Sequence, residues 1–169
     1  TTSGTMTVNT TWSVDTVFIN GNLTVNTGVT LTINAGRYII FQGHYGLFIQ
    51  GRLLAQGTPS SKITFTATNT TTGWSGIRFV STSATNDTSF ITSCKIIYGV
   101  ANTGTAEDQM GGGIFVKSFS KLVISNSIIS NCYAQRYGGA ITLTNDASPV
   151  IINNIICNNT ALSIGGGLR

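Results

Sequence analysis

Apolar and polar residues alternate along much of the chain with the two-residue period of β-strands. In TLTI (residues 30–33) and ITFT (63–66) the apolar side chains fall on one face and Thr on the other. Turn signals such as Asn20-Gly21 and Thr27-Gly28 separate such segments. The strands predicted in the N-terminal half are residues 17–19, 23–25, 29–33, 38–41, 47–49, 53–55 and 63–67.

The C-terminal part repeats itself every 27 residues, with GGGI at Gly111, GGAI at Gly138 and GGGL at Gly165. Between these motifs, KLVISNSIISNCYA (121–134) aligns without a gap to SPVIINNIICNNTA (148–161). Each repeat holds three short strand segments, too few to enclose a core of its own. Such repeats are predicted to stack as rungs of a solenoid, with like strands paired in parallel about 4.8 Å apart.

An earlier and longer copy of the repeat is visible. GIRFV from Gly76 resembles GIFVK from Gly113, and CKIIYG (94–99) resembles NSIISN (126–131). The extra residues of this copy, 81–88 and 101–110, are predicted to be inserted loops. The alignment predicts turns at register-equivalent corners, where Gly and Asn accept left-handed backbone. The predicted corner residues are Gly99, Asn131, Asn158, Gly111, Gly138 and Gly165.

These features predict one all-β domain over residues 1–169, a right-handed single-stranded parallel β-helix (solenoid) with rungs of roughly 27 residues. Residues 1–16 are expected to begin or cap it. A new rung begins at Gly165, which leaves an open parallel edge. We therefore expect the C-terminal end to be truncated, continuing into further rungs of a longer chain, or to stack on another copy.

The segment NLTVNTGVTLTINAGRYIIFQ, followed by LFIQGRLLAQGTPSSKITFT and GWSGIRF, resembles the opening of surface-exposed right-handed β-helix proteins of the pectin-lyase-like superfamily. The later GGAI motif with Ile-x-x-Asn is similar to the GGA[IL] repeats of polymorphic outer-membrane proteins, which have Phe where this chain has Ile. The resemblance implies the β-helix fold. Its superfamily includes enzymes, adhesins and passive stalks, so it does not select among them.

The composition indicates a surface with few charges. Only 8% of the residues are charged, against about 25% in a typical soluble domain. Thr, Ser, Asn and Gly supply the polar surface instead, which favours a secreted or cell-surface location. The net charge of +4 comes from scattered Lys and Arg, so nucleic acid is not an expected partner. No apolar run approaches the roughly 18 residues of a membrane span.

Candidate chemistry is sparse, and no catalytic residue and no cofactor is predicted. Of five acidic residues, Asp87 and the Glu107-Asp108 pair fall in the two inserted loops. They could meet and bind a cation, or they could simply keep the loops soluble. His44 is the only histidine, so a histidine metal site has no second ligand of its kind.

The three cysteines do not form a predicted disulfide framework. Cys132 and Cys157 lie two positions out of register in adjacent rungs, a diagonal of roughly 7–8 Å that is long for a disulfide. Cys94 aligns with Asn126. All three are read as small core or turn residues.

Aromatic residues are the candidates for contact with a glycan or a protein partner. Phe115 lies between inward Ile114 and Val116 and is therefore expected to face out. The alternative is that the aromatics pack against the inserted loops. The four candidates are Trp74, Phe115, Tyr133 and Tyr137.

The expected function is non-catalytic and structural or adhesive: an extracellular stalk, adhesin segment or filament subunit, with itself or a polysaccharide as partner. The alternatives are a fragment of a β-helix polysaccharide lyase or glycoside hydrolase, and a glycan-binding module. Ice binding is only a minor alternative, since it needs outward Thr in the same strand of successive rungs. Thr142 and Thr144 align with Phe115 and Lys117, so the threonine array is broken.

Overall fold

The computed structural model describes all residues from 1 to 169. Its regular structure is strands, every ladder between them is parallel, and no helix could span a membrane. The strands are β1 (Thr2–Met6), β2 (Thr10–Trp12), β3 (Thr16–Val25), β4 (Thr30–Ile33), β5 (Tyr38–Phe41), β6 (Leu47–Ile49), β7 (Arg52–Gln56), β8 (Ile63–Ala67), β9 (Ile77–Phe79), β10 (Ser89–Thr92), β11 (Cys94–Ile97), β12 (Val100–Ala101), β13 (Ile114–Lys117), β14 (Leu122–Ser125), β15 (Ile128–Ser130), β16 (Tyr133–Ala134), β17 (Ile141–Thr144), β18 (Val150–Ile152), β19 (Ile155–Cys157) and β20 (Thr160–Ala161).

The strands form three successive faces as the chain advances. The first face is β3-β5-β8-β11-β15-β19, the second is β3-β6-β9-β13-β17, and the third is β2-β4-β7-β10-β14-β18. The 10-residue β3 belongs to two of them, because its residues 16–19 pair with β5 and 23–25 with β6. The first two faces are thus one strongly curled 11-stranded sheet. A short ladder of β12, β16 and β20 lies between them in the last rungs.

The core is a column of aligned apolar side chains. Ile96, Ile129 and Ile156 occupy one register position of the first face in three successive strands. They belong to, or pack against, a single core cluster of 32 buried residues. Burying one such side chain contributes about 1.5–3 kcal/mol. The all-β, parallel part of the prediction is confirmed, and the arrangement is compatible with a β-solenoid.

The repeats pair in the aligned register. Ile114 pairs with Ile141, and Val123 pairs with Val150. Corner side chains also bond across the repeat: Ser127 and Cys132 each donate a backbone N–H to an Asn side chain 27 residues on, both at 2.9 Å. Those asparagines, Asn154 and Asn159, donate in turn to carbonyl oxygens of the earlier rung. The last rung is therefore fastened by side chains as well as by its strands.

The alignment of the earlier copy is wrong by one residue. Ile97 pairs with Ser130, so Tyr98, not Gly99, occupies the position of Asn131. The φ angles are 59° at Tyr98 and 55° at both Asn131 and Asn158. Gly99 is the next residue, where a side chain would collide with the carbonyl oxygen of Gly112. Glycine is required at position 99 because of this crowding, and not because the backbone is left-handed there.

The same shift moves Cys94. It lies opposite Ser127, whose hydroxyl accepts its backbone N–H at 2.9 Å, and not opposite Asn126. The left-handed corner before β11 is Ser93, with φ of 50°, matching 51° at Asn126. No disulfide is present; Cys94 and Cys132 are buried and Cys157 is exposed.

The segments expected to be loops and a cap contain some strand. Within residues 1–16, β1 and β2 pair with β3 and β4. Residues 81–88 join β9 to β10 without a strand, whereas the other insertion begins at residue 102 because Val100–Ala101 is β12. Gly111, Gly138 and Gly165 adopt φ of 64°, 56° and 69° where the chain turns into the second face.

Candidate functional site

Trp74 is not available to a ligand, which corrects its place among the contact candidates. Its side chain is fully buried and stacks on Phe41, with 4.2 Å between ring centroids. Its indole N–H donates to the carbonyl oxygen of Ile97 at 2.9 Å. The aromatic surface stabilises the core, and the polar edge is satisfied within it.

Phe115 is also fully buried, so the expectation that it is exposed is wrong. Its side chain lies on the outer face of the strand, because Ile114 and Val116 on either side belong to the core cluster and Phe115 does not. The Arg78 guanidinium carbon lies 4.7 Å from its ring centroid. The inserted loop, residues 102–110, is bonded to that arginine and closes over this outer face.

Tyr133 and Tyr137 are partly exposed and remain contact candidates. The Tyr133 hydroxyl donates to the side chain of Gln135 at 3.1 Å. The Tyr137 ring packs against two guanidinium groups, with 4.0 Å from its centroid to Arg169 and 5.6 Å to Arg136.

The loop acids do not come together, so Asp87, Glu107 and Asp108 do not form the cation site that was one of the two interpretations of them. Asp87 lies 3.7 Å from Arg52, and Glu107 is paired with Lys117 at 2.6 Å. Asp108 accepts hydrogen bonds from the backbone and hydroxyl of Thr105. No three His, Cys, Asp or Glu side chains cluster as metal ligands. The insertions fold onto different faces, which keeps their acids apart.

A polar pocket of about 330 Å³ lies on the outside of the second face, beside the inserted loop. We call it the Arg78 pocket. Strand β9 supplies Arg78, and β6, its neighbour in the second face, supplies Phe48. The inserted loop supplies one wall of the pocket. Its lining residues are Asn22, His44, Phe48, Ser75, Arg78, Thr103, Gly104 and Asp108.

Arg78 fastens the loop to the sheet. It is 2% exposed, and its terminal nitrogens donate to the carbonyl oxygens of Ser75 (3.2 Å), Glu107 (2.7 Å) and Met110 (3.3 Å). Its buried Nε makes no hydrogen bond. Burial lowers the pKa of Arg78 to about 10, against the opposing effect of Asp108 and Glu107. The guanidinium therefore remains charged at neutral pH.

The imidazole of His44 is oriented by the backbone. Its Nε2 lies 2.8 Å from the carbonyl oxygen of Val100, and since that oxygen only accepts, Nε2 carries the hydrogen. In the neutral ring, Nδ1 is then an acceptor, and the Ser75 hydroxyl lies 3.4 Å from it. The second interaction is long, so it positions the hydroxyl loosely.

A second surface is a wider groove of about 630 Å³ beside the first face. Lys62, Lys95 and the half-exposed Tyr38 line it, together with Ser and Thr hydroxyls. Neither lysine has an acidic partner within ion-pair distance. This groove is basic, whereas the Arg78 pocket has both signs of charge.

The Arg78 pocket was not predicted from the sequence. In the sequence, Arg78 is one of the scattered cations and His44 is the only histidine. The available signal was the alignment itself, which places Arg78 opposite Phe115. A lone arginine in register with an aromatic residue, next to an insertion, indicates a covered cation.

Searches against protein-family models, curated proteins and solved structures found no match for this chain.

Proposed function

We propose that this chain is a non-catalytic β-solenoid scaffold, a segment of a secreted or cell-surface stalk, adhesin or filament. The observation that supports it is the continuous in-register stacking of parallel strands on three faces. Such a stack can be lengthened by adding rungs without redesigning the core, because each rung contacts only its neighbours. That property suits a rod that presents a surface at a distance.

We infer that the helix is right-handed, since parallel strands joined by crossovers are right-handed in about 98% of cases. A rung of roughly 27 residues describes the last repeats, where Ile128 pairs with Ile155. The spacing is shorter at the start, where Val17 pairs with Ile39, and longer in the middle, where Ile77 pairs with Ile114. The pectin-lyase-like surface proteins remain the family that this architecture favours.

The last rung is the proposed docking edge. Its strands β18 and β19 are paired on one side only. Large apolar side chains are exposed there, including Val150 (53%), Ile155 (59%) and Leu162 (63%). An unpaired edge with apolar side chains favours strand addition. We propose that a further rung covers it, from the same protein or from the N-terminal rungs of a second copy.

Sedimentation velocity over a concentration series tests the second-copy form of this proposal. We expect the sedimentation coefficient to rise with concentration, and Ile156→Lys to abolish that rise, because the charge would lie at the end of the core column that the next rung must continue. The matched control is Ile155→Lys in the same strand, in an outward column that already holds Lys95 two rungs earlier, and it should still associate. A strictly monomeric chain at all concentrations would exclude a filament of this segment.

The proposal that the protein is non-catalytic is tested separately, by incubating the protein with acidic and neutral polysaccharides. We expect neither unsaturated products nor new reducing ends. Release of either would favour the alternative, a polysaccharide lyase or hydrolase.

A further inference from the structure

We propose that the Arg78 pocket binds one unit of a neutral saccharide. This goes beyond the scaffold role, and it rests on which polar groups in the pocket are already engaged and which are open to a ligand.

The charges of the pocket do not favour an ionic ligand. The terminal N–H groups of Arg78 are directed at three backbone carbonyls, so the arginine offers no bidentate face to a carboxylate or phosphate. The Asp108 carboxylate lines the same pocket and repels anions. The buried guanidinium opposes binding of a cation in turn. The two formal charges offset each other, which leaves a neutral, polar ligand as the best match.

The open polar groups suit hydroxyls. The Asn22 side-chain oxygen accepts from the backbone N–H of Gly46 at 3.0 Å, so its NH₂ group is left as a donor. Asp108 uses Oδ2 for Thr105 at 2.9 and 2.7 Å, so Oδ1 is left as an acceptor. A sugar hydroxyl both donates and accepts, and it can satisfy either group. The Ser75 and Thr103 hydroxyls add two groups of the same dual character.

Phe48 gives the pocket an apolar component. It is partly exposed and pairs in register with Arg78 in the next strand. Pockets for small ligands combine such apolar surface with a few fixed polar groups, and about 300 Å³ is the lower end of their volume range. A pyranose ring has apolar C–H surface between its hydroxyls and matches this combination.

The test is a titration of the isotopically labelled protein with D-glucose, D-galactose and D-mannose, followed by amide chemical shifts. D-glucuronic and D-galacturonic acid are the charged counterparts. We expect at least one neutral sugar to shift the amides of Asn22, Ser75, Gly104 and Asp108 saturably, and the acids to shift them less.

Two variants locate the binding. Asn22→Asp keeps the oxygen that accepts from Gly46 but removes the donor, and Phe48→Leu removes the ring; each should raise Kd about tenfold. The control, Asn26→Asp, makes the same charge change at an exposed asparagine whose oxygen accepts from Thr27, outside the pocket, and should leave Kd unchanged.

The proposal would be overturned by the absence of a saturable shift with any neutral sugar, by stronger binding of the uronic acids at these amides, or by shifts confined to the Lys62–Lys95 groove. A Kd that responds equally to Asn22→Asp and Asn26→Asp would do the same, because the effect would then be one of overall charge.

Discussion

At the scale of single residues, the left-handed corner at Asn131 depends on backbone conformation more than on side-chain contacts. Asn131 is exposed and has φ of 55°. Its side chain makes one long bond, 3.4 Å to Ser130. In this left-handed conformation a residue with a Cβ is disfavoured by about 1–2 kcal/mol, and Asn less than most. Gly has no Cβ and adopts the conformation freely.

We therefore expect Asn131→Ala to lower the free energy of unfolding by about 1 kcal/mol and Asn131→Gly to leave it nearly unchanged. Urea denaturation of the two variants measures the difference. Equal losses in both would show that the asparagine side chain, and not the left-handed backbone, matters at this corner.

The thiols should differ sharply in reactivity. Burial raises the pKa of Cys94 and of Cys132 to about 12, whereas Cys157 is exposed. We expect a thiol reagent at pH 8 to modify one cysteine rapidly in the folded protein and all three after denaturation. Cys157→Ser should remove the fast reaction. Rapid modification of a second thiol in native buffer would contradict the buried placement.

The same burial makes stability fall at high pH. An unfolded thiol ionises near pH 9, while the buried thiols stay protonated until about 12. Their contribution to stability is therefore complete below pH 9 and is lost as the pH rises towards 12, by up to about 1.4 kcal/mol per thiol per pH unit.

At the scale of elements, the inserted loop depends on one arginine. Arg78 holds residues 102–110 through its bonds to Glu107 and Met110 and packs against Phe115. Charged hydrogen bonds contribute about 1.5–3 kcal/mol each, and leaving their partners unsatisfied costs more.

Arg78→Met should therefore destabilise the protein by at least about 2 kcal/mol and open the loop. Hydrogen exchange should show faster exchange at residues 102–110 and at Phe115. The control is Arg52→Met, which removes a hydrogen bond to the carbonyl oxygen of Thr88 at 3.0 Å and a 3.7 Å pairing with Asp87, and which should leave exchange at residues 102–110 unchanged. Unchanged exchange in the loop of Arg78→Met would contradict the fastening role.

Strands could be predicted from the sequence because period-2 alternation and turn residues are local signals. All N-terminal strand candidates contain strand residues in the structure. The one-residue error at Tyr98 arose because left-handed Tyr carries no compositional signal, whereas the adjacent Gly99 does. The pocket could not be predicted, since it depends on where a loop folds back and on partners such as Asn22 and Asp108, far apart in sequence.

At the scale of the whole molecule, every proposal depends on the same pairing register of the parallel strands. It places the apolar edge on the last rung, Arg78 beside Phe115, and the corner asparagines above one another. The scaffold function, the docking edge and the saccharide pocket all assume that like strands stack in parallel.

The most direct test is a nuclear Overhauser spectrum of the labelled protein that maps contacts between strands. Parallel stacking predicts backbone contacts between residues in register, such as Ile96 with Ile129, Ile129 with Ile156, and Val123 with Val150. Antiparallel contacts between strands adjacent in sequence, such as β14 with β15, would contradict the parallel stack and with it the proposed function.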